Sequence, residues 1–306
     1  MNMRGRFEIL PEFFKLTLTL SLYLTMYIAS AMVVAWLCKL WYGVDFLALN
    51  GTQLDVSVVN NLNAIKTFQL LSSIMVFMGT AFMAAYMFTH FPFRYLGVKR
   101  GCSIWCFVLA GLAMLLLTPF VNYTYKLNTM LPLPQWMETL ENEAGTYTKA
   151  FLNMPNLTVL LYNMVILALV PAIGEELLFR GVIQRILYGM VGNVHWAIIC
   201  AAVFFSSMHM QFLGFIPRLA MGMVLGYLFY WSGSLWLSIA AHFINNAATV
   251  ILAYYSHVLP FNQDTIGTGK DDALLLLVSV AMAWLCLWTI KILCERKPTD
   301  SSIDVT

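Results

Sequence analysis

Long apolar segments are the feature that most limits how this chain can fold. A helix needs about 20 apolar residues to cross a bilayer, and eight segments approach that length, at 16–40, 67–91, 102–122, 156–173, 194–210, 213–231, 234–256 and 272–294. Backbone polar groups in lipid must find their hydrogen bonds inside the segment, which only helices and closed barrels allow. We therefore predict an all-α, polytopic integral membrane helical bundle with about eight transmembrane helices.

Composition supports a membrane protein and argues against a nucleic-acid partner. Of the 306 residues, 60% are hydrophobic and 10% are charged, against roughly 25% charged in an average soluble protein. The net charge is +2, and no long basic or acidic block occurs. Membrane lipid is therefore the first expected partner, and nucleic acid is not expected.

The distribution of Lys and Arg predicts the orientation of the bundle. Arg4, Arg6 and Lys15 precede the first apolar run, and "ASA" at 29–31 resembles a signal-peptidase site. The run continues to Leu37, which favours an uncleaved helix over a leader. With the N-terminus inside, eleven Lys and Arg residues lie on the cytoplasmic side and six outside. This bias predicts a multi-pass protein of the plasma (inner) membrane with both termini cytoplasmic.

Three regions divide the chain. Residues 1–154 form an N-terminal membrane region with three spanning helices, residues 155–256 hold the candidate catalytic core, and residues 257–306 hold the last span and a cytoplasmic tail. The stretch 123–155 mixes aromatic and acidic residues, so it is either an amphipathic helix at the interface or a surface loop. The six cysteines include no CxxC pair and are interpreted as small buried hydrophobic residues, although Cys102 and Cys106 could share a helix face.

A few polar residues interrupt the apolar half of the chain. Glu175 and Glu176 are the only acidic residues between Glu143 and Asp264. The same region also contains Arg180, His209, His242, Asn245 and Asn246. An ionisable side chain at membrane depth costs roughly 2.5–3.5 kcal/mol on insertion scales and by default indicates a functional site.

Helical spacing predicts which of these side chains meet. Glu176 and Arg180 are four residues apart and can pair on one face, whereas Glu175 points about 100° away. Counting from the predicted turn at 188–193 places Glu175 about 21 Å and His209 about 24 Å from it. His242 lies about 12 Å beyond a second turn at 232–234. We therefore expect Glu175, His209 and His242 to approach one another in a polar cavity that admits water and opens toward the cytoplasmic side.

One carboxylate, two imidazoles and one amide form a set suited to hydrolysis. A buried glutamate can accept a proton from water, and two histidines can orient that water or hold a divalent metal such as zinc. The side chain of Asn246 can donate to an oxyanion. No GxSxG and no HExxH occurs, so neither a serine hydrolase of that type nor a typical soluble metalloprotease is indicated.

Three short motifs contain most of these polar residues: "EELLFR" at 175–180, Phe205 to His209, and His242 to Asn246. In this order they are similar to the EExxxR, FxxxH and HxxxN motifs of the CPBP family of intramembrane proteases, which includes the type II CAAX prenyl endopeptidases. The resemblance implies that Glu175 activates water, that Glu176 and Arg180 support it as an ion pair, and that His209 and His242 hold water or, with Glu175, a metal. It also implies that Asn246 stabilises the oxyanion and that the substrate is a membrane-associated, in some members lipidated, protein or peptide.

Two other functions fit the same residues. A scaffold or immunity protein of this fold could keep the motifs without catalysis. A proton-coupled transporter could use the glutamate and histidines as a relay, although transporters commonly contain two related halves and this sequence shows no internal repeat.

Overall fold

A computed structural model of the protein describes residues 3–48, 54–98, 101–256 and 270–295, with the side chains of the last range described from 273 to 294. The described residues contain helices and no strand. In chain order the helices are α1 (Glu12–Tyr42), α2 (Val59–Phe88), the single turn α3 (Pro92–Tyr95), α4 (Ile104–Thr129), α5 (Gln135–Leu152), α6 (Leu157–Val191), α7 (Val194–Ser207), α8 (Phe215–Ser232), α9 (Leu235–Ser256) and α10 (Lys270–Glu295).

The helical membrane architecture is confirmed, since each of the eight apolar segments carries a helix. Within the described ranges, six helices are long and apolar enough to cross a membrane: α1, α2, α4, α6, α9 and α10. Helix α7 has 14 residues, about 21 Å, and is too short to cross by itself. It pairs with α8 as a short hairpin inside the bundle.

Helices extend into the two long stretches between predicted spans, at 41–66 and 123–155. Helix α2 begins at Val59, inside the polar stretch 41–66 that separates the first two predicted spans. In the stretch 123–155, α4 continues to Thr129 and α5 covers Gln135–Leu152. The helical alternative for this stretch is therefore correct, and the loop alternative is wrong.

The turns fall where the glycines predicted them. Gly192 has φ 64° and follows α6, and Gly233 has φ 62° and separates α8 from α9. Both lie in the left-handed region, which glycine enters without a steric penalty and which ends helices. These turns make α6 and α7, and then α8 and α9, antiparallel neighbours.

The bundle has two ends that carry different parts of the chain. At the first, here called the N-terminal end, the backbone N–H of Gly5 donates to the carbonyl of Tyr86, and Leu235 donates to Gly97. Glu12 also packs against Gly189 there. The opposite end, here called the far end, holds α5 and the 208–214 loop between α7 and α8.

In the part of the chain that the structure describes, the two largest of four apolar clusters form most of the interior. The first includes Leu178, Phe179 and Phe205 and joins α2, α6, α7 and α9. The second includes Met114, Leu228 and Ile290 and joins α4, α8, α9 and α10. Polar groups of the candidate site lie on the far-end side of the first cluster, so the fold closes them off from the N-terminal end.

Glycines on α8 let it pack closely against α7. A Cβ atom on Gly222 would lie 3.0 Å from Ala202, and one on Gly226 would lie 2.8 Å from Ile198. Small residues at such positions allow helix backbones to approach each other in membranes. This close packing helps to place the turn that follows α7, which carries His209.

Candidate active site

Helix α6 carries both glutamates in a short α-helical piece between two irregular segments. The piece Val170–Leu178 is preceded by a π-helical segment, Met164–Leu169, and followed by another, Phe179–Ile183. Local π-helix is rare and often marks functional sites. It also shifts the alignment of side chains before and after each segment relative to a regular α-helix. Counted over the whole residue, Glu175 is 8% exposed and Glu176 is fully buried.

The structure brings Glu175, His209 and His242 together. The Oε2 atom of Glu175 lies 4.0 Å from Nε2 of His209 and 3.9 Å from Nε2 of His242. His209 lies in the turn after α7, and His242 lies in the second turn of α9. Three helical segments thus direct an acid and two imidazoles toward one point, as the spacing predicted.

Hydrogen bonds determine which nitrogen of each imidazole carries a proton. Nδ1 of His209 lies 2.9 Å from the backbone carbonyl of Phe205, and Nδ1 of His242 lies 2.9 Å from Oε1 of Glu176. Both partners are acceptors, so in the neutral imidazoles Nδ1 is the protonated atom and Nε2 keeps its lone pair. The carboxylate of Glu175 and two Nε2 lone pairs therefore face one another, an arrangement that suits a shared proton donor or a cation.

Glu176 connects the two halves of the site. Its Oε1 accepts from Nη1 of Arg180 at 2.5 Å and from Nδ1 of His242 at 2.9 Å. Arg180 is 1% exposed, donates through Nη2 to the carbonyl of Gly222 at 3.0 Å and lies 4.8 Å from the centre of the Phe205 ring. The ion pair expected from the sequence is present. Its contact with His242 had no local signal, because 66 residues separate the two side chains.

Phe205 forms the floor of the site. Its ring centre is 5.0 Å from that of His209 and 5.9 Å from that of His242, in edge-to-face geometry. The ring of Phe179 lies 5.3 Å away on the other side. Aromatic edge contacts of this kind hold ring orientation, so the phenylalanine of FxxxH fixes both imidazoles.

Asn246 lies one turn after His242 on α9, near the edge of the site. Its Nδ2 donates to the carbonyl of Leu167 at 3.4 Å, and its Oδ1 accepts from Nδ2 of Asn245 at 3.1 Å. A bond of 3.4 Å is long and weak. The amide could exchange this weak partner for a stronger acceptor such as an oxyanion at low cost.

Access to the site is greatest at His209. Its side chain is 30% exposed, compared with 11% for Glu175 and 7% for His242.

Two residues that the sequence gave no reason to select hold the 208–214 loop at the far end. Asn128 donates to the carbonyl of Leu213 at 2.8 Å, and Glu141 accepts from the backbone N–H of Leu213 at 2.8 Å.

This access direction bears on the membrane orientation. The 208–214 loop lies at the far end, whereas the start of α1 and the end of α10 lie at the N-terminal end. The sequence led us to expect cytoplasmic termini and also a cavity open toward the cytoplasm. Because the two features lie at opposite ends of the bundle, only one of these expectations can hold.

The side chains of Glu175, His209 and His242 have the chemistry of ligands for a divalent metal, and the distances between their donor atoms are longer than in an occupied site. One carboxylate with two imidazoles is a known catalytic zinc set, and a carboxylate or carbonyl on each Nδ1 is the usual support for histidine ligands. Two ligands of one tetrahedral zinc ion sit about 3.4 Å apart, so the observed gaps exceed this by about half an ångström. Among the described residues, only a cysteine group brings three ligand atoms within 4.8 Å of one another.

An acid flanked by two oriented imidazoles inside a helical membrane bundle can hold and polarise a small polar molecule such as water. Residues 157–248 match the sequence model of a family described as type II CAAX prenyl endopeptidase Rce1-like. All three motifs lie within that segment, so the resemblance inferred from the motifs is confirmed over residues 157–248.

A curated relative covers a similar length of sequence. The uncharacterized protein YpbD of Bacillus subtilis (strain 168) is 31% identical over 100 residues, which are 31% of this chain and 48% of YpbD. The chain thus spans about half the length of that relative. No solved structure matches the chain significantly.

Proposed function

We propose that the protein is an intramembrane endopeptidase that hydrolyses a peptide bond of a membrane-associated protein or peptide. The observation that carries the proposal is the position of Glu175, 3.9 and 4.0 Å from the Nε2 atoms of two histidines that are oriented by other groups. These gaps are too long for direct hydrogen bonds and suit a water held between acceptors. The match of residues 157–248 to a protease family supports the same conclusion.

Glu175 acts as the general base in this mechanism. Its carboxylate accepts a proton from water, the oxygen attacks the carbonyl carbon of the peptide bond, and the proton later passes to the leaving amine. The second O–H of the water donates to the Nε2 lone pair of one imidazole, that of His209 or of His242, and this bond orients the water. Asn246 donates to the oxyanion that forms on the attacked carbonyl, an interaction worth roughly 3–4 kcal/mol in known sites.

Glu176 and Arg180 act through His242. The bond from Arg180 fixes the side chain of Glu176, whose Oε1 accepts from Nδ1–H of His242 and leaves Nε2 directed at Glu175. An ion pair removed from water is costly unless both partners are fully hydrogen-bonded. The bonds from Arg180 to Glu176 and Gly222 supply part of that compensation. Both residues are therefore positioning residues.

Glu175, His209 and His242 would also be the residues that hold a divalent metal such as zinc. Such an ion would lower the pKa of a bound water and polarise the substrate carbonyl. The contacts of Phe205 and Glu176 with the two Nδ1 atoms would orient both ligands. Metal analysis of the purified protein beside His209→Ala and His242→Ala tests this assignment.

We assign the protein to the plasma (inner) membrane with both termini cytoplasmic, on the basis of the Lys and Arg bias. The far end, with the 208–214 loop, then faces outward. A cysteine introduced as Gln211→Cys should react with a membrane-impermeant maleimide in intact cells above the wild-type background. Glu8→Cys, at the N-terminal end, should not. The opposite pattern would retain a cytoplasmic opening and reject cytoplasmic termini.

The substrate class that the family description suggests is a prenylated protein. We therefore propose membrane-associated substrates that include lipidated ones. A pair of reporter peptides with one sequence, one farnesylated and one unmodified, both anchored in liposomes with the purified protein, compares the two kinds directly. Mass spectrometry of the released fragments identifies the cleaved bond.

The decisive variant is Glu175→Gln, which keeps the shape of the side chain and removes the base. We expect a loss of about 10²–10⁴-fold in cleavage rate with unchanged thermal unfolding. Glu138→Gln, on the exposed surface of α5, is the matched control and should keep full activity. Cleavage at the wild-type rate by Glu175→Gln would reject the mechanism and favour a non-catalytic scaffold.

A further inference from the structure

Three cysteines from distant parts of the chain meet at the N-terminal end of the bundle. Cys102 lies just before α4, Cys106 lies in its first turn, and Cys294 lies at the end of α10. Their Sγ atoms all lie within 4.8 Å of one another. Helical spacing explains why Cys102 and Cys106 are close, but only the packing of α10 against α4 explains the third thiol.

The surroundings of this group select the kind of ligand. Cys106 and Cys294 are 1% and 9% exposed, and both belong to the apolar cluster formed by α4, α8, α9 and α10. Cys102 is partly exposed and opens the group to the surface. The three ligands are sulfur, the soft donor that selects ions such as Zn²⁺ and Cu⁺ over Mg²⁺ or Ca²⁺.

The dimensions also suit a metal ion. A Zn–S bond is about 2.3 Å, which puts the sulfurs of one ion roughly 3.8–4.0 Å apart. Small side-chain rotations bring three sulfurs from within 4.8 Å to that separation. Cys102 and Cys106 lie at the start of α4 and Cys294 at the end of α10, so one ion would connect the ends of two helices.

We propose that Cys102, Cys106 and Cys294 form a three-thiolate site for a soft metal ion, separate from the Glu175 site. The site joins the start of α4 to the end of α10 and so fastens the last described helix to the bundle. An odd number of thiols cannot all be consumed by disulfides within the group, whereas one ion can use all three.

Cobalt titration tests the proposal, because Co²⁺ bound by thiolates has an intense sulfur-to-metal absorption in the near ultraviolet. The reduced, metal-free full chain in detergent should bind one equivalent of Co²⁺ with this band, and Zn²⁺ should displace it. The band should disappear in Cys102→Ser/Cys106→Ser/Cys294→Ser and persist in the control Cys200→Ser. It should also persist in His209→Ala/His242→Ala, which separates this site from the candidate active site.

A second measurement needs no substitution and covers the case of a triple variant that does not fold. Alkylation of the wild-type protein, mapped by mass spectrometry, should be at least about tenfold slower at all three cysteines when Zn²⁺ is present. The rate at Cys200 should not change. A wild-type protein without the cobalt band, a band retained by the triple variant, or alkylation rates insensitive to Zn²⁺ would each overturn the proposal.

Discussion

Helices α9 and α10 are both apolar enough to cross a membrane, yet they differ in what surrounds them. In the most apolar window of α9, 44% of residues are buried, against 22% in α10. Helix α9 brings His242 and Asn246 to the interior, whereas α10 exposes Trp284 and Trp288. Lipid is as apolar as the packed interior, so hydrophobicity does not separate the two environments in a membrane protein. Polar side chains distinguish the two environments, because lipid offers them no hydrogen-bond partners and they must lie inside the bundle.

The largest effect should come from removing one partner of the buried ion pair. Arg180→Ala leaves Glu176 charged and buried, and breaking a buried pair in this way costs about 3–5 kcal/mol of unfolding free energy. Lys291→Ala on α10 is the matched change, because Lys291 also lies over an aromatic ring, 5.2 Å from the centre of Trp288. We expect it to cost about 0.5–1 kcal/mol.

Denaturant unfolding in detergent micelles measures both variants. Similar losses of unfolding free energy in the two variants would contradict the comparison. They would mean that the charge on α10 contributes as much to stability as the charge beside the candidate site.

The next effect concerns the contact between Glu176 and His242. Glu176→Gln keeps an oxygen that can accept from Nδ1–H but removes the charge that holds the imidazole. Groups that orient histidines in this way are typically worth 10–100-fold in activity or metal affinity. We expect a loss of that size in the peptide assay, clearly smaller than for Glu175→Gln. Equal losses in the two variants would give Glu176 a direct part in the chemistry.

The smallest effect compares glycines in the two kinds of surroundings. A Cβ on Gly226 of α8 would lie 2.8 Å from Ile198 and 2.9 Å from Gln184, whereas one on Gly145 of α5 meets nothing within 4 Å. Gly226→Ala should cost about 1–3 kcal/mol from overpacking. Gly145→Ala should instead stabilise by up to about 1 kcal/mol, because alanine favours helix over glycine. Thermal unfolding of the two variants checks the opposite signs, and a common sign would contradict the packing described for α8.

Much of the secondary structure follows from local rules that operate along the chain. Apolar length predicted helices at all eight places, and Gly192 and Gly233 predicted two turns. The ends of helices were harder to predict, as in α2, which extends into the polar stretch 41–66. An amphipathic or polar sequence can form either a surface helix or a loop, and tertiary contacts decide between them. The sequence therefore did not decide whether the stretch that contains α5 is a helix or a loop.

The sequence by itself determined the helical membrane fold and selected the polar residues that meet in the candidate site, because segment length and the cost of a polar group in lipid are properties of the residues themselves. Only the tertiary structure decided the contact of Glu176 with His242, the support of the 208–214 loop by Asn128 and Glu141, and the meeting of Cys294 with Cys102 and Cys106. Each of these joins segments far apart in the chain. Such contacts depend on how the helices pack and on the end of the bundle at which each helix ends. The spacing of residues along the chain predicts neither.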